Sequence, residues 1–271
     1  MGAAKLNEDC DMADQCILVI PARRHSTRLP DKLLLRAGGK TVLQHTFEAA
    51  CRARLPDQVL IATDDEQIAH ESQHFGADVV MTSADCASGT DRVAEAIGDR
   101  KEVAIVVNLQ GDEPEIEAMA IDRLVKRLRD NRTASMATLA TPIHDWSLVR
   151  DPACVKVVFD TAGRALYFSR NPIPHIRENS VVGTADRLRG AGGPRYYQHI
   201  GIYAYRRGLL MRLAELPPSP LEEAEKLEQL RVLEQGETIL VARVEEATRG
   251  IDTAEDFAAF AAKFPARKLA G

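Results

Sequence analysis

A short polar segment directly after an apolar run concentrates side chains that bind anions. Residues 21–32 read PARRHSTRLPDK and contain four cationic residues, two hydroxyls and a histidine: Arg23, Arg24, Arg28, Lys32, Ser26, Thr27 and His25. Arginine and lysine neutralise phosphate charge, while hydroxyls and backbone N–H groups bind the remaining phosphate oxygens. The GxxxxGK[ST] pattern of a P-loop is not present in the segment. The composition predicts an anion site, with a solvated basic loop as the alternative.

Two aspartates occupy positions suited to a metal ion. Asp112 follows the apolar run of residues 106–109, and Asp252 precedes Thr253 near the end of the chain. Mg²⁺ prefers hard oxygen ligands and is commonly held by one or two carboxylates plus substrate phosphates and water. Sequence spacing alone does not pair them: taken singly, Asp112 could be a turn residue before Pro114 and Asp252 a helix N-cap.

The elements that must position these residues alternate between buried strands and amphipathic helices. Hydrophobic periodicity predicts strands at 17–20, 58–62, 78–81 and 103–109, and helices at 41–54, 66–75, 89–97 and 118–129. Repeated βα units imply a doubly wound, mostly parallel sheet with right-handed crossovers, in which ligands bind at the carboxyl ends of the strands. The fold class is therefore α/β.

The regular alternation of predicted strands and helices ends after Ala134, which indicates an α+β insertion covering residues 134–205. Strands are predicted at 136–142, 155–159, 165–169 and 199–205, with a mobile Gly-rich loop at 179–194. A helix at 221–235 and a strand at 238–241 follow. The last predicted helix begins at Thr253, with Asp256 three residues later. Residues 1–15 are expected to form a disordered leader on composition. Residues 16–265 are expected to form a single domain.

Composition excludes several classes of protein. The 271 residues are 45% hydrophobic and 28% charged, typical of a globular domain. No apolar run approaches the roughly 18 residues of a membrane span, so a cytoplasmic protein without membrane insertion is expected. A formal net charge of −5 speaks against a nucleic-acid polymer as partner. Five scattered cysteines, without a CxxC pair, argue against a disulfide framework or zinc site: Cys10, Cys16, Cys51, Cys86 and Cys154.

An ordered series of motifs resembles one enzyme family over residues 17–260. The motifs are IPAR (20–23), STRLP (26–30) with Lys32, ATD (62–64), SGTDR (88–92), QGDEP (110–114), YFSR (167–170), HIGIY (199–203), KLEQLR (226–231) and GIDT (250–253). Together they resemble the 3-deoxy-manno-octulosonate (Kdo) cytidylyltransferases, also called CMP-Kdo synthetases. The chain departs from the usual STRLPGKPL at Asp31, which replaces glycine, and at Leu33, which replaces proline.

The resemblance implies an activity, a cofactor and a set of site residues. A nucleotidyltransferase of this family joins CTP and Kdo to give CMP-Kdo and pyrophosphate for lipopolysaccharide synthesis, and it uses Mg²⁺. The resemblance also implies the nucleotide-diphospho-sugar transferase fold and a homodimer whose subunits make contact through the insertion. By resemblance the catalytic residues are Arg23, Lys32, Asp112 and Asp252, the last two also binding the metal. Nucleotide-binding residues would be Ala22, Arg23, Ser26, Thr27, Lys32, Thr63, Asp64, Ser88, Gly89, Thr90, Arg92, Gln110 and Gly111. Sugar-binding residues would be Arg170, His199, Tyr203, Glu228 and Gln229.

Other interpretations remain open at this point. Without the resemblance, Glu228 and Gln229 would be ordinary residues of a solvated helix face, and His199 a structural histidine of a strand. Activation of sialic acid or of 8-amino Kdo is the alternative within the same chemistry, although the KLEQLR block favours the Kdo branch. A non-catalytic sugar-nucleotide sensor is the alternative of a different class, and it predicts the loss of metal-binding carboxylates.

Overall fold

A computed structural model describes residues 15–24, 29–177, 188–190, 193–194, 196–246 and 250–264. The strands are β1 (Gln15–Ala22), β2 (Arg36–Ala37), β3 (Lys40–Thr41), β4 (Gln58–Thr63), β5 (Asp78–Met81), β6 (Val103–Asn108), β7 (Met136–Pro142), β8 (Lys156–Phe159), β9 (Ala165–Ser169), β10 (Arg189–Gly190), β11 (Gly193–Pro194), β12 (Tyr197–Arg206) and β13 (Ile239–Arg243). The helices are α1 (Val42–Ala50), α2 (Glu66–His74), α3 (Gly89–Ile97), α4 (Ala118–Arg129), α5 (Trp146–Arg150), α6 (Arg207–Glu215), α7 (Pro220–Glu225), α8 (Gln229–Glu234) and α9 (Ala254–Ala261).

One large mixed sheet organises these elements. Its strand order is β13-β7-β12-β6-β1-β4-β5, with the β8–β9 hairpin attached to β12. Strands β6, β1, β4 and β5 are mutually parallel, β13 is parallel to β7, and β12 is antiparallel to both β6 and β7. The predicted α/β class with a mostly parallel sheet is confirmed. Because β12 is antiparallel to its neighbours, the alternation of strands and helices ends after Ala134.

Helices cover both faces of this sheet. Along β1, Leu18 and Ile20 pack on one face with residues of α1, α2 and α4. Ile17 and Val19 pack on the other face with residues of α3, α6 and α8. All four side chains are completely buried, which is why β1 reads as a continuous apolar run rather than an alternating one.

The predicted helix at 221–235 is wrong, because the chain breaks it into α7 and α8. Lys226 ends α7 in a left-handed conformation with φ of 54°, which turns the chain before α8 begins. Arg231 of α8 then reaches back and pairs with Glu222 of α7, with N···O distances of 2.6 and 2.7 Å. The periodicity of 221–235 reflects two packed helices rather than one. The sequence interpretation also omitted α5 and α6.

Several expectations concern parts of the chain outside the described residues. These are the leader up to residue 14, most of the predicted 179–194 loop, Cys10, Ser26 and Thr27. Cys16, Cys51, Cys86 and Cys154 are free thiols. Within the described ranges, no helix has the length and apolar character needed to cross a membrane.

Candidate active site

The carboxyl ends of three neighbouring strands bring the predicted nucleotide segments to one edge of the sheet. Ala22 at the end of β1 lies beside Thr63 at the end of β4, and Val19 of β1 lies beside Asn108 of β6. Leu109 continues the β6 side by donating its N–H to the carbonyl of Val19 at 3.1 Å. The segments carrying Arg23, Asp64 and Gln110 to Asp112 therefore leave the sheet side by side, where ligands of parallel sheets bind.

Lys32 contacts both predicted metal-binding aspartates. Its Nζ hydrogen-bonds Asp112 Oδ2 and lies 3.1 Å from Asp252 Oδ1. Burial disfavours the charged form of Lys32, but the two carboxylates outweigh that effect and raise the pKa of its ammonium group. The structure thus brings together three residues separated by up to 220 positions, which sequence spacing could not pair.

Backbone contacts fix the two acidic segments against each other. Ile251 donates its N–H to the carbonyl of Asp112 at 2.9 Å. The N-cap of α9 is Thr253, whose hydroxyl accepts from the N–H of Asp256 at 3.1 Å in a capping box. Asp252 is therefore not the N-cap, and its carboxylate is directed to Lys32 instead.

Gly111 allows the loop after β6 to pack closely on the phosphate segment. A Cβ at Gly111 would lie 3.3 Å from side-chain atoms of Leu33 and of Leu43. The Gly111 carbonyl accepts a hydrogen bond from Thr46 Oγ1 at 2.9 Å. Leu33, which stands where the family pattern has proline, is therefore a buried contact that supports the loop carrying Asp112.

Asp31 occupies a backbone conformation that suits the glycine of the family pattern. Its φ of 52° and ψ of 26° lie in the left-handed region, which glycine adopts readily and aspartate tolerates better than most residues. Its Oδ1 accepts from Arg24 Nε at 3.0 Å. The acidic charge next to Lys32 is thus paired with a cation of the same loop.

Arg23 presents unsatisfied donor capacity at this edge. Its Nη2 is buried and makes no hydrogen bond with any residue that the structure describes. A buried guanidinium N–H without a partner costs free energy, so this group is suited to donate a hydrogen bond to an anionic ligand.

The N-terminus of α3 lies against the loop after β6. Ser88 is the N-cap, and its hydroxyl accepts from the N–H of Asp91 at 3.1 Å in a capping box. A Cβ at Gly89 would lie 3.5 Å from Pro21 and 3.7 Å from Gln110 Nε2, which are ordinary contact distances and place the start of α3 against both segments. Gln110 Nε2 donates to Asn108 Oδ1 at 3.2 Å. Ser88, Gly89 and Gln110 thus form one surface at the strand ends.

Arg92 lies behind that surface. Its side chain is 1% exposed, with Nη1 donating to Thr82 Oγ1 and Nη2 lying 3.2 Å from Asp64 Oδ1. The guanidinium therefore joins the ends of β4 and β5 to α3. Through these contacts Arg92 supports the segments that are predicted to bind the nucleotide.

Three of the five predicted sugar-binding residues form two hydrogen-bonded pairs, Tyr203 with Gln229 and Glu228 with Thr90. Tyr203 donates its hydroxyl to Gln229 Oε1 at 3.2 Å, and Gln229 Nε2 is buried without a hydrogen-bond partner among the described residues. Glu228 Oε2 accepts from Thr90 Oγ1 at 2.7 Å. This last contact joins a predicted nucleotide residue to a predicted sugar residue, and no local sequence signal could have indicated it.

His199 is a neutral imidazole in this structure. Its Nε2 lies 3.0 Å from Thr138 Oγ1, and that hydroxyl is also within 3.1 Å of the carbonyls of Ile200 and Ile202. Since a hydroxyl has one proton and a carbonyl can only accept, Thr138 donates to a carbonyl and accepts from His199 Nε2–H. Burial lowers the pKa of His199 to about 3. Its Nδ1 is consequently an acceptor.

Arg170 lies at the carboxyl end of α7. Its Nε donates to the carbonyl of Glu225 at 2.7 Å and its Nη1 to the carbonyl of Pro152 at 3.0 Å. The Arg170 backbone N–H also donates to Glu225 Oε2 at 2.9 Å. These contacts hold the side chain in place while the guanidinium, which has five N–H donors, retains others for a ligand.

An α/β sheet with cationic and acidic side chains gathered at its strand ends is suited to bind an anionic nucleotide, and comparison with known proteins gives the class. A sequence profile described as Cytidylyltransferase matches residues 17–239. The 3-deoxy-manno-octulosonate cytidylyltransferase of Rhodopirellula baltica is 50% identical over 249 residues, 92% of this chain and 98% of that protein. The protein of that name from Syntrophotalea carbinolica is 47% identical over 238 residues, 88% of this chain and 94% of that one.

A solved structure gives the same result. It is described as CMP:2-keto-3-deoxy-manno-octonic acid synthetase complexed with CTP, and it matches with a TM-score of 0.83 and 39% identity, covering 92% of this chain and 98% of that chain. The chain belongs to the 3-deoxy-manno-octulosonate cytidylyltransferase family. The family predicted from the ordered motifs is thereby confirmed.

Proposed function

We propose that this protein transfers CMP from CTP to Kdo, giving CMP-Kdo and pyrophosphate and so activating Kdo for lipopolysaccharide synthesis. The observation that carries the proposal is the convergence of Lys32, Asp112 and Asp252 beside the ends of β1 and β6. The same convergence disfavours a sensor without catalysis, which would not need these carboxylates. Membership of the family supports CTP and Kdo as substrates.

The reaction requires positioning and charge stabilisation rather than a covalent enzyme intermediate. The anomeric hydroxyl oxygen of the sugar attacks the α-phosphorus of CTP, the new O–P bond forms, and the bond from the α-phosphorus to the bridging oxygen breaks in line. Pyrophosphate leaves with the bond electrons, and the hydroxyl proton is released. Catalysis of phosphoryl-type transfer depends mostly on alignment and on cations that offset the developing charge.

The cationic residues of the loop supply part of that charge. Arg23, whose buried Nη2 has no partner in the described part of the chain, and Lys32, whose ammonium form is favoured by its neighbours, would bind the triphosphate oxygens. Ser88, Gly89 and Gln110 would line the base and ribose at the amino end of α3. Arg92 would hold that surface in place through Asp64 and Thr82.

The residues at the site fit Mg²⁺. Asp112 and Asp252 already converge on one cationic group, the Lys32 ammonium. In the part of the chain that the structure describes, no group of three or more His, Cys, Asp and Glu side chains could hold a metal by itself. Two carboxylates with remaining positions for substrate oxygens and water are the arrangement that Mg²⁺ commonly uses. When bound between Asp112 and Asp252, Mg²⁺ would supply Lewis-acid stabilisation of charge.

The polar groups on β12 and α8 suit a polyhydroxylated acidic sugar. Neutral His199 offers an acceptor at Nδ1, Gln229 offers an unpaired buried donor at Nε2, and Glu228 offers a carboxylate oxygen. The remaining N–H groups of Arg170 would bind the sugar carboxylate, since a guanidinium matches that group in shape and charge.

Pyrophosphate release tests this proposal and its alternatives in one assay. The enzyme is mixed with CTP and Mg²⁺, and with Kdo, 8-amino Kdo or N-acetylneuraminate as acceptor. The proposal expects release that depends on sugar and is fastest with Kdo. A preference for N-acetylneuraminate would contradict the Kdo assignment, and no sugar-dependent release with any acceptor would favour the sensor. Replacing CTP by UTP should greatly slow the reaction.

We also propose a cytoplasmic homodimer in which residues 134–205 contribute the contact. The family resemblance supports the assembly, and Leu166 of β9, within that segment, is 61% exposed. Sedimentation at several protein concentrations should give a dimer mass. A monomer at all concentrations would contradict it.

A further inference from the structure

A single hydroxyl links the nucleotide-facing helix to the carboxylate assigned to the sugar. Thr90 is the second residue of α3, immediately after Ser88 and Gly89, and its side chain is buried. Its Oγ1 lies 2.7 Å from Oε2 of Glu228, which is 138 residues further along the chain and precedes α8. The hydroxyl therefore faces the sugar-binding residues of the second half.

The chemistry of the contact fixes which group donates. An ionised carboxylate can only accept, so the one proton of Thr90 Oγ1 goes to Glu228. Tyr205, a buried residue of β12, lines the same small cavity as Thr90 and Glu228. With its one proton donated to Glu228, the Thr90 hydroxyl has none left to donate to a nucleotide.

Glu228 depends on this hydroxyl for its orientation. No described Lys, Arg or His forms a salt bridge with it. The nearby guanidinium of Arg231 is instead bound by both carboxylate oxygens of Glu222 and by the carbonyls of Leu213 and Leu216. A hydrogen bond to a carboxylate is stronger than one between neutral groups. Loss of the Thr90 hydroxyl would leave the Glu228 side chain free to rotate.

The other side of Glu228 opens to solvent. The residue is exposed and lines a cavity of about 320 Å³ together with Pro218, Glu222, Glu223 and Lys226. With Oε2 held by Thr90, Oε1 is available to accept from a hydroxyl of a ligand. A carboxylate fixed at one oxygen and open at the other is suited to select one hydroxyl of a polyol.

We infer that Thr90 is a positioning residue for the acceptor sugar, acting through Glu228, and is not a nucleotide contact. The inference rests on the proposed function, since it assumes that Glu228 binds the acidic sugar. It assigns Thr90 differently from the family resemblance, which placed it with the nucleotide.

Steady-state kinetics of two matched variants test the inference. Thr90→Val keeps the size and branching of the side chain but removes the hydroxyl, and Thr90→Ser keeps the hydroxyl. We expect Thr90→Val to raise KM for Kdo about ten-fold, since one charge-assisted hydrogen bond is lost, with KM for CTP within about two-fold of wild type. Thr90→Ser should restore KM for Kdo to within about three-fold of wild type. Thr90→Ala gives the same test if the valine variant does not fold.

A double-mutant cycle adds a readout that a purely structural role would not change. Once Glu228→Ala has removed the carboxylate, adding Thr90→Val should raise KM for Kdo by less than two-fold further, because both changes remove one interaction. An increase in KM for CTP with KM for Kdo unchanged would overturn the inference, as would independent, additive effects. If the wild type shows no activity with Kdo, the proposed function fails together with the inference. If it is active and Thr90→Val leaves KM for Kdo unchanged, the inference alone fails.

Discussion

Ile251 donates its backbone N–H to the carbonyl oxygen of Asp112 at 2.9 Å. This bond joins the loop after β6 to the segment before α9, so two aspartates 140 residues apart face the same ammonium group of Lys32. A backbone bond does not depend on side-chain identity. Side-chain changes at either aspartate should therefore alter the chemistry of the site and leave its architecture in place.

The first prediction concerns those two carboxylates. Asp112→Asn and Asp252→Asn each remove a charge without removing volume, so kcat should fall by about 100-fold or more while the thermal midpoint stays near that of wild type. The measurement is pyrophosphate release at saturating substrates alongside thermal unfolding. Asp130→Asn is the matched control, since Asp130 pairs with Lys126 on the surface. Activity near wild type in either site variant would contradict the two-aspartate metal site.

A second prediction concerns the left-handed residue beside Lys32. Asp31→Gly restores the family residue and fits a φ of 52° without strain, so activity should remain within about three-fold of wild type. Asp31→Ala and Asp31→Gly both remove the partner of Arg24, but alanine tolerates the left-handed conformation less well, so its thermal midpoint should be lower than that of the glycine variant. Differential scanning of both proteins compares them directly. A more stable alanine variant would mean that the backbone conformation does not constrain this position.

Gly111 and Gly208 form a matched pair for a third prediction. Gly111→Ala forces a methyl group to 3.3 Å from Leu33 and Leu43, so it should lower the unfolding free energy by about 1–3 kcal/mol and reduce activity by moving the Asp112 loop. A Cβ at Gly208 of α6 meets no described atom within 4 Å, so Gly208→Ala should be neutral or stabilising by up to about 1 kcal/mol. Urea unfolding measures both. Equal stability of the two variants would show that the loop relaxes without cost.

The fourth prediction is a pH dependence of stability from His199. Burial lowers its pKa to about 3 in the folded protein, while an unfolded histidine titrates near 6.5, so the unfolded state binds more protons between these values. The stability that neutral His199 supports is complete above about pH 6.5 and is lost as the pH falls towards 3. At pH 5 the loss should be about 2 kcal/mol.

Urea unfolding at pH 7 and pH 5 checks this dependence. His199→Gln should show a smaller decrease in unfolding free energy between the two pH values than the wild type does. His175→Gln changes an exposed histidine and should behave as wild type. If His199→Gln retained the full wild-type decrease, His199 would not be the group responsible.

Much of the fold was accessible from periodicity because the relevant strands are buried on both faces. The runs at 17–20, 58–62 and 103–109 read as strands, and each lies within a strand of the parallel part of the sheet or extends one residue past it. The helix beginning at Thr253 was also predicted correctly, since a capping box is a local signal. Periodicity failed at 221–235, where the left-handed Lys226 carries no sequence signature comparable to glycine.

The site was less accessible than the fold because its contacts are not local. Asp112 and Asp252 could be paired only through resemblance, and the Ile251 to Asp112 bond that joins them has no sequence signal. The two departures from the family pattern acquire a physical reason only in three dimensions, where Asp31 pairs with Arg24 and Leu33 packs on Gly111. The assigned roles of the individual site residues stay predictions until these variants are measured.

The most direct test of the central claim is to follow CTP by ³¹P NMR with the wild-type protein, Mg²⁺ and Kdo. The account predicts that the triphosphate signals are replaced by equal amounts of pyrophosphate and a sugar-linked CMP phosphodiester, and only when both Mg²⁺ and Kdo are present. Unchanged CTP, or formation of the phosphodiester with N-acetylneuraminate but not with Kdo, would contradict the account.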